Sequence, residues 1–164
     1  MTEQDLYELP KGVRERFQAI PDGQFDEVPE VVELRGQLAG LESQQKLSAH
    51  ASHNLRLQIE ELEQRRASCG LEIKRLHANR PRQIADALLA GNDLDEDWAT
   101  LQRIGRLQHF IDGVALAQPE LNLRFDRNHS NTVYLVSQID GTAEALRSLL
   151  DRLKLAEAER QTFS

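Results

Sequence analysis

Cys69 is the only cysteine in 164 residues. No disulfide can form within the chain, and a reducing compartment is the simplest setting for it. Aromatic residues make up only 5% of the sequence, so Leu, Ile, Val and Ala must supply any core. No stretch approaches the roughly 20 apolar residues of a membrane span. The opening MTEQDLYELP is acidic and lacks an apolar run, so no cleavable signal is expected. A basic excess is missing too: the formal net charge is −7, which favours solubility and disfavours a generic nucleic-acid binder. Catalytic signatures are also absent, with no G-x-S-x-G, phosphate loop, G-x-G-x-x-G or H-E-x-x-H. The expectation is a soluble cytoplasmic protein without membrane, cofactor, small-molecule substrate or enzymatic activity.

What the chain does hold is helix-forming composition, rich in Leu, Ala, Glu, Arg and Gln, at a length typical of one domain. Charge is uneven along it. Residues 1–30 carry eight acids against three bases, a local charge of −5, while residues 31–92 hold nine bases and seven acids.

The organising feature is a heptad frame over residues 31–76. Val31, Leu38, Gln45, Ser52, Ile59, Arg66 and Ile73 recur every seven residues, with Leu34, Leu41, Ser48, Leu55, Leu62, Cys69 and Leu76 between them. Steps alternating between three and four residues keep one stripe facing a partner helix. Gln45, Ser48 and Ser52 make the middle of that stripe polar. Either the chain reverses there or one helix runs through a polar layer. The apolar frame keeps its phase on both sides, which a loop would do by chance about two times in seven. No Gly or Pro lies between Gly40 and Gly70, and a continuous helix follows. Polar seam residues cost stability but can fix register and partner choice.

The flanks are shorter. Val13, Phe17 and Ile20 define one face of a short helix between Pro10 and Pro21. This arm, residues 1–28, reads either as a docking peptide or as a cap over the seam, and the cap is the simpler reading. Pro29 suits the first turn of the long helix, with Glu30 near its positive end. Pro81 disfavours helix at Arg80 and should stop or kink the helix near Asn79. A short helix over 82–90 then ends at Gly91-Asn92 in the left-handed conformation, and Asp93 with Glu96 reads as a capping pair for a returning antiparallel helix over 94–117. Leu57 and Leu71 lie off the seam and call for further cover. Pro119 should end the returning helix. Leu121, Leu123 and Phe125, a polar turn at 126–131, and Val133 and Leu135 suggest a small β-hairpin near 121–136, and Asp140-Gly141-Thr142 should open a C-terminal helix. The expected fold is thus mainly α, divided into the arm 1–28, a coiled-coil helical hairpin 29–118, and a hairpin plus C-terminal helix 119–164.

Candidate chemistry is sparse. His50 and His53 have helical spacing for two nitrogens, but zinc needs three or four ligands and no carboxylate or thiol neighbours them. Asp93, Asp95, Glu96 and Asp97 suggest calcium, yet a twelve-residue loop from Asp93 would put Trp98 at the turn glycine and Ile104 at the bidentate acid. Acids at a helix start are explained by its dipole. Arg65, Arg66, Lys74, Arg75, Arg80 and Arg82 are the only basic concentration and form a candidate nucleic-acid face. Glu60, Glu61, Glu63 and Glu72 dilute it, and no aromatics are interleaved. Arg66, in the seam, should snorkel or pair with an acid. Cys69 has no flanking redox motif and reads as a small buried side chain.

A coiled coil, an Ala-Leu-Leu-Ala-Gly-Asn-Asp break at 87–93 and a returning helix together resemble the small helical accessory proteins of phage and bacterial assembly gene clusters. The resemblance spans about half the chain and assigns no residues. The functional expectation is a non-enzymatic assembly or adaptor protein that associates with itself and with at least one protein partner. Its interface would be Val31, Leu34, Leu38, Leu41, Gln45, Ser48 and Ser52, the part of the seam with no intrachain partner of comparable length. The alternatives are a nucleic-acid-associated factor using the Arg65–Arg82 face, or an acidic helical chaperone for a basic client.

Overall fold

A computed structural model describes residues 8–18, 20, 23–91 and 96–164, with backbone only at 17, 18 and 96–98. Three helices account for it: α1 (Lys11–Gln18), α2 (Pro29–Leu89) and α3 (Glu96–Thr162). The long helix is continuous through residues 45–54, as its unbroken apolar phase predicts. It also runs past Asn79, because Pro81 lies inside it and 82–89 are its last turns rather than a separate helix. Gly91 follows at φ 69°, the left-handed stop expected there, and its N–H bonds back to the Leu88 carbonyl at 3.2 Å. The expected Asp93–Glu96 cap lies outside the described residues.

The β-hairpin expected near 121–136 is absent. Those residues are helical, as are Pro119 and Gly141, and α3 runs unbroken through all of them. The reason is a second seam. Val114, Leu121, Leu135, Ile139, Ala143, Leu146 and Leu150 are buried, and Gln118, Phe125, Asn128 and Thr132 fill the intervening steps of three and four residues half-buried. Packing along that stripe overrides the local turn and strand preferences. A proline inside a helix sacrifices one backbone hydrogen bond. Ala115 and Pro119 are both exposed, so the released carbonyl faces solvent, where the loss is smallest.

The chain divides into two compact units, Met1–His53 with Asp126–Ser164, and Asn54–Phe125. In the first unit, the opening of α2 packs against the end of α3 and α1 lies over them. Val31, Leu38, Ile139, Ala143, Leu146 and Leu150 form the core, closed by Leu9, Val13 and Ile20 of the arm. Each Val, Leu or Ile side chain among them contributes about 1.5–3 kcal/mol when fully buried. The arm is therefore a cap on this core. Its polar ties are Arg16 to Asp140 at 2.8 Å and Arg147 donating to the Arg16 carbonyl. The turn into α2 is held by the Gly23 N–H on the Asp26 carboxylate at 2.8 Å and by Arg35 on the same carboxylate at 3.1 Å.

The second unit pairs residues 54–89 of α2 with 96–125 of α3. Its cross-helix contacts run antiparallel: Glu63 accepts from Gln118 at 2.7 Å, the Arg65 guanidinium lies 4.7 Å from the Phe110 ring centroid, and Arg103 Nε donates to Glu72 at 2.8 Å. Among its described residues only Val114 and Leu121 are buried apolar side chains. Leu55, Ile59, Leu62, Ile73 and Leu76 are half-covered, as expected for a seam between two helices.

Candidate interaction surfaces

The expected interface residues lie within the first unit. Val31 and Leu38 are buried, Leu34 and Leu41 pack against the same core, and α3 supplies the intrachain partner that the heptad pattern alone does not reveal. Gln45, Ser48 and Ser52 are buried polar residues one step further along the seam.

That polar stretch has a counterpart on α3. The Ser48 and Thr132 hydroxyls lie 2.7 Å apart. Asn128 Nδ2 donates to the Ser48 carbonyl and to the Ser52 hydroxyl, both at 2.6 Å. Asn131 Nδ2 reaches Ser48 Oγ at 3.3 Å, and Thr132 Oγ1 also donates to its own helix at the Asn128 carbonyl at 3.0 Å. Two polar stretches thus face each other, and nearly every buried donor and acceptor is used. The exceptions are Gln45 Oε1, on a residue only 2% exposed, and His53 Nδ1, neither of which has a hydrogen-bond partner. A shallow groove of about 390 Å³ borders the layer, lined by Gln44, Leu47, Ser48, Ala51, Asn128, Asn131 and Leu135. Sequence reasoning found the α2 side of this layer and missed Asn128 and Thr132, whose spacing of four matches Ser48 to Ser52.

The second unit carries the uncovered apolar surface. Leu57 and Leu71 stand off the seam of α2, as the heptad frame predicts, and Leu71 is 69% exposed. On α3, Leu116 is 83% exposed and Leu123 lies one heptad further along, also exposed. Those two are hidden in the sequence because Pro119 and the expected strand mask the helical period between them. Leu88 and Leu89 are exposed at the end of α2.

The six basic residues also belong to this unit. Arg65 is drawn over Phe110, and Arg66 is exposed and reaches the Gln118 amide oxygen at 3.4 Å rather than an acid. Lys74, Arg75 and Arg82 are exposed and Arg80 half-buried. Arg65 and Arg66 are thus engaged along α3. Among the described residues no three His, Cys, Asp or Glu side chains gather where they could hold a metal ion, and the side chains of Asp93, Asp95, Glu96 and Asp97 lie outside the description. His50, His77, His109 and His129 are exposed and His53 half-buried. Cys69 is a free thiol, half-buried at its seam position. No described helix is long and apolar enough to cross a membrane.

Mutual burial of α2 and α3 in each unit defines the class: a mainly helical protein whose two long helices pair along heptad seams. No family model, curated protein or solved structure matches the chain.

Proposed function

We propose that this chain is a non-enzymatic assembly or adaptor protein, associating with itself and holding a protein partner through helix-to-helix contact. The supporting observation is the state of the second unit, where Leu57, Leu71, Leu116 and Leu123 stand exposed beside a half-covered seam. An amphipathic helix that leaves such leucines open gains by packing against a further helix. The Val31–Leu41 part of the seam is filled from within the chain, so the exposed leucines of residues 54–125 are the surface at hand.

Light scattering on the full-length chain at tens of micromolar tests this reading. The expected mass is at least twice the 18.7 kDa of one chain, and Leu71→Arg combined with Leu116→Arg should lower it by removing the contact through residues 54–125. A single-chain mass across the whole concentration range would overturn self-association.

A further inference from the structure

The first unit contains a groove whose present occupant is the chain's own arm. Its walls are Val31 and Leu38 on α2 and Ile139, Ala143, Leu146 and Leu150 on α3, and Leu9, Val13 and Ile20 fill it. We propose that this groove also accepts the arm of a second copy, so that two chains exchange residues 8–20 and each closes the core of the other. The inference rests on the self-association reading and names one way the Val31–Leu38 surface takes part in it.

The arm itself shows which chemistry fits the groove: an amphipathic segment with Leu9, Val13 and Ile20 inward and Arg16 placed over Asp140 at 2.8 Å. A second copy carries that segment by definition. In a two-fold pair, every interaction that opening breaks is re-formed with the partner's arm.

The arm's ion pair across elements is open to solvent. Arg16 and Asp140 have side chains 50% and 37% exposed, and a cleft of about 320 Å³ lies beside them, lined by Arg16, Asp140, Ala143, Glu144 and Arg147. Exposed ion pairs hold weakly, so the arm can leave its seat without stranding a buried charge.

In the segment joining the arm to α2, the described turn starts at a glycine that can serve as a pivot. Gly23 sits at φ 124°, a conformation that disfavours any side chain, and Asp26 holds the turn through the Gly23 N–H. Pro21 and Pro29 flank it. A turn that depends on one glycine at positive φ is an element whose closed form a single substitution can strain.

Finally, Val31 and Leu38 are covered on their arm side by Leu9, Val13 and Ile20. Any contact between copies at this end of the seam requires the cover to move, and exchange is the movement that leaves no apolar surface open.

The test uses two full-length preparations, both carrying Cys69→Ser. One bears Glu15→Cys and the other, with a distinguishing tag, bears Glu144→Cys. Both positions are exposed, and neither takes part in the Arg16–Asp140 contact. The mixture is incubated at tens of micromolar and treated with a flexible bismaleimide. Arm exchange gives a covalent heterodimer at several times the yield of a control pair with Phe163→Cys in place of Glu15→Cys. Adding Gly23→Ala to both chains, which strains the closed turn, should raise that yield further. Dimers by light scattering with no heterodimer above the control would overturn exchange and leave self-association through residues 54–125 standing. A lower yield with Gly23→Ala would also count against exchange. Single-chain mass throughout would overturn both.

Discussion

The Ser48 hydroxyl on α2 and the Thr132 hydroxyl on α3 lie 2.7 Å apart in a polar layer that borders the aliphatic core of the first unit. The pair sits among amide donors from Asn128 and Asn131, so the helices are matched in polarity as well as in shape. A shift of one helix by a heptad would set these groups against Leu135 or Leu121 and leave them unpaired. The layer therefore fixes register, the best-supported use of polar residues in helical seams.

Breaking the layer from one side should be costly, and replacing a matched pair should not. Asn128→Ala removes the donor to the buried Ser52 hydroxyl and is expected to lower stability by about 1–3 kcal/mol. Ser48→Ala together with Thr132→Val keeps the shape and removes both hydroxyls, so their joint effect should be smaller than the sum of the single changes. Urea unfolding of the four proteins of that cycle measures it. Strict additivity would show that the two hydroxyls do not interact.

Gln45 differs from its neighbours in the layer. It is buried, and its Oε1 has no partner. A buried amide oxygen without a hydrogen bond loses about 1–3 kcal/mol against its state in water. Gln45→Leu should therefore raise the unfolding free energy by about 1–2 kcal/mol, since apolar volume replaces an unsatisfied group at similar size. A fall in the urea midpoint would mean that the amide is paired in solution.

These two cases also show which parts of the fold are legible in the sequence. On α2, Val31 to Leu41 and Leu55 to Leu76 hold one phase, so the helix can be followed across Gln45, Ser48 and Ser52. On α3 the same signal is masked. Pro119 reads as a stop, Asn128 and Asn131 as turn residues, Asp140-Gly141 as a helix start, and the exposed Val133 and Tyr134 beside Leu135 mimic a strand. Each is a sound local preference, and the continuous stripe from Val114 to Leu150 outweighs them together. Asn128 and Thr132 become meaningful only opposite Ser48 and Ser52, a pairing that requires the antiparallel register. Of the exposed leucines, Leu57 and Leu71 are legible as off-seam positions because their helix is, although the cover expected over them is not there and both are exposed. Leu116 and Leu123 are not.

Burial separates residues that hold the fold from residues free to serve a partner. Leu146 is fully buried in the first unit, whereas Leu71 is 69% exposed in the second. Leu146→Ala should lower stability by about 2–5 kcal/mol through reduced burial and the cavity left behind. Leu71→Ala should change it by no more than about 0.5 kcal/mol, while weakening self-association in sedimentation measurements. Equal stability losses in both variants would mean that Leu71 is covered within the isolated chain.

Pro119 gives the sharpest test of the α3 path. Inside a helix its ring removes one donor and crowds the preceding turn, at about 3 kcal/mol relative to Ala. Here it lies within α3 on an exposed face, so little packing is lost with the ring. Pro119→Ala restores an N–H to the Ala115 carbonyl and should stabilise the protein by about 1–3 kcal/mol, with unchanged or slightly greater helical circular dichroism. If the chain instead turned at Pro119, the proline would favour that turn through its fixed φ, and removing it would be neutral or destabilising. The sign of the change in urea midpoint decides between a single helix from Glu96 to Thr162 and two elements joined at residue 119.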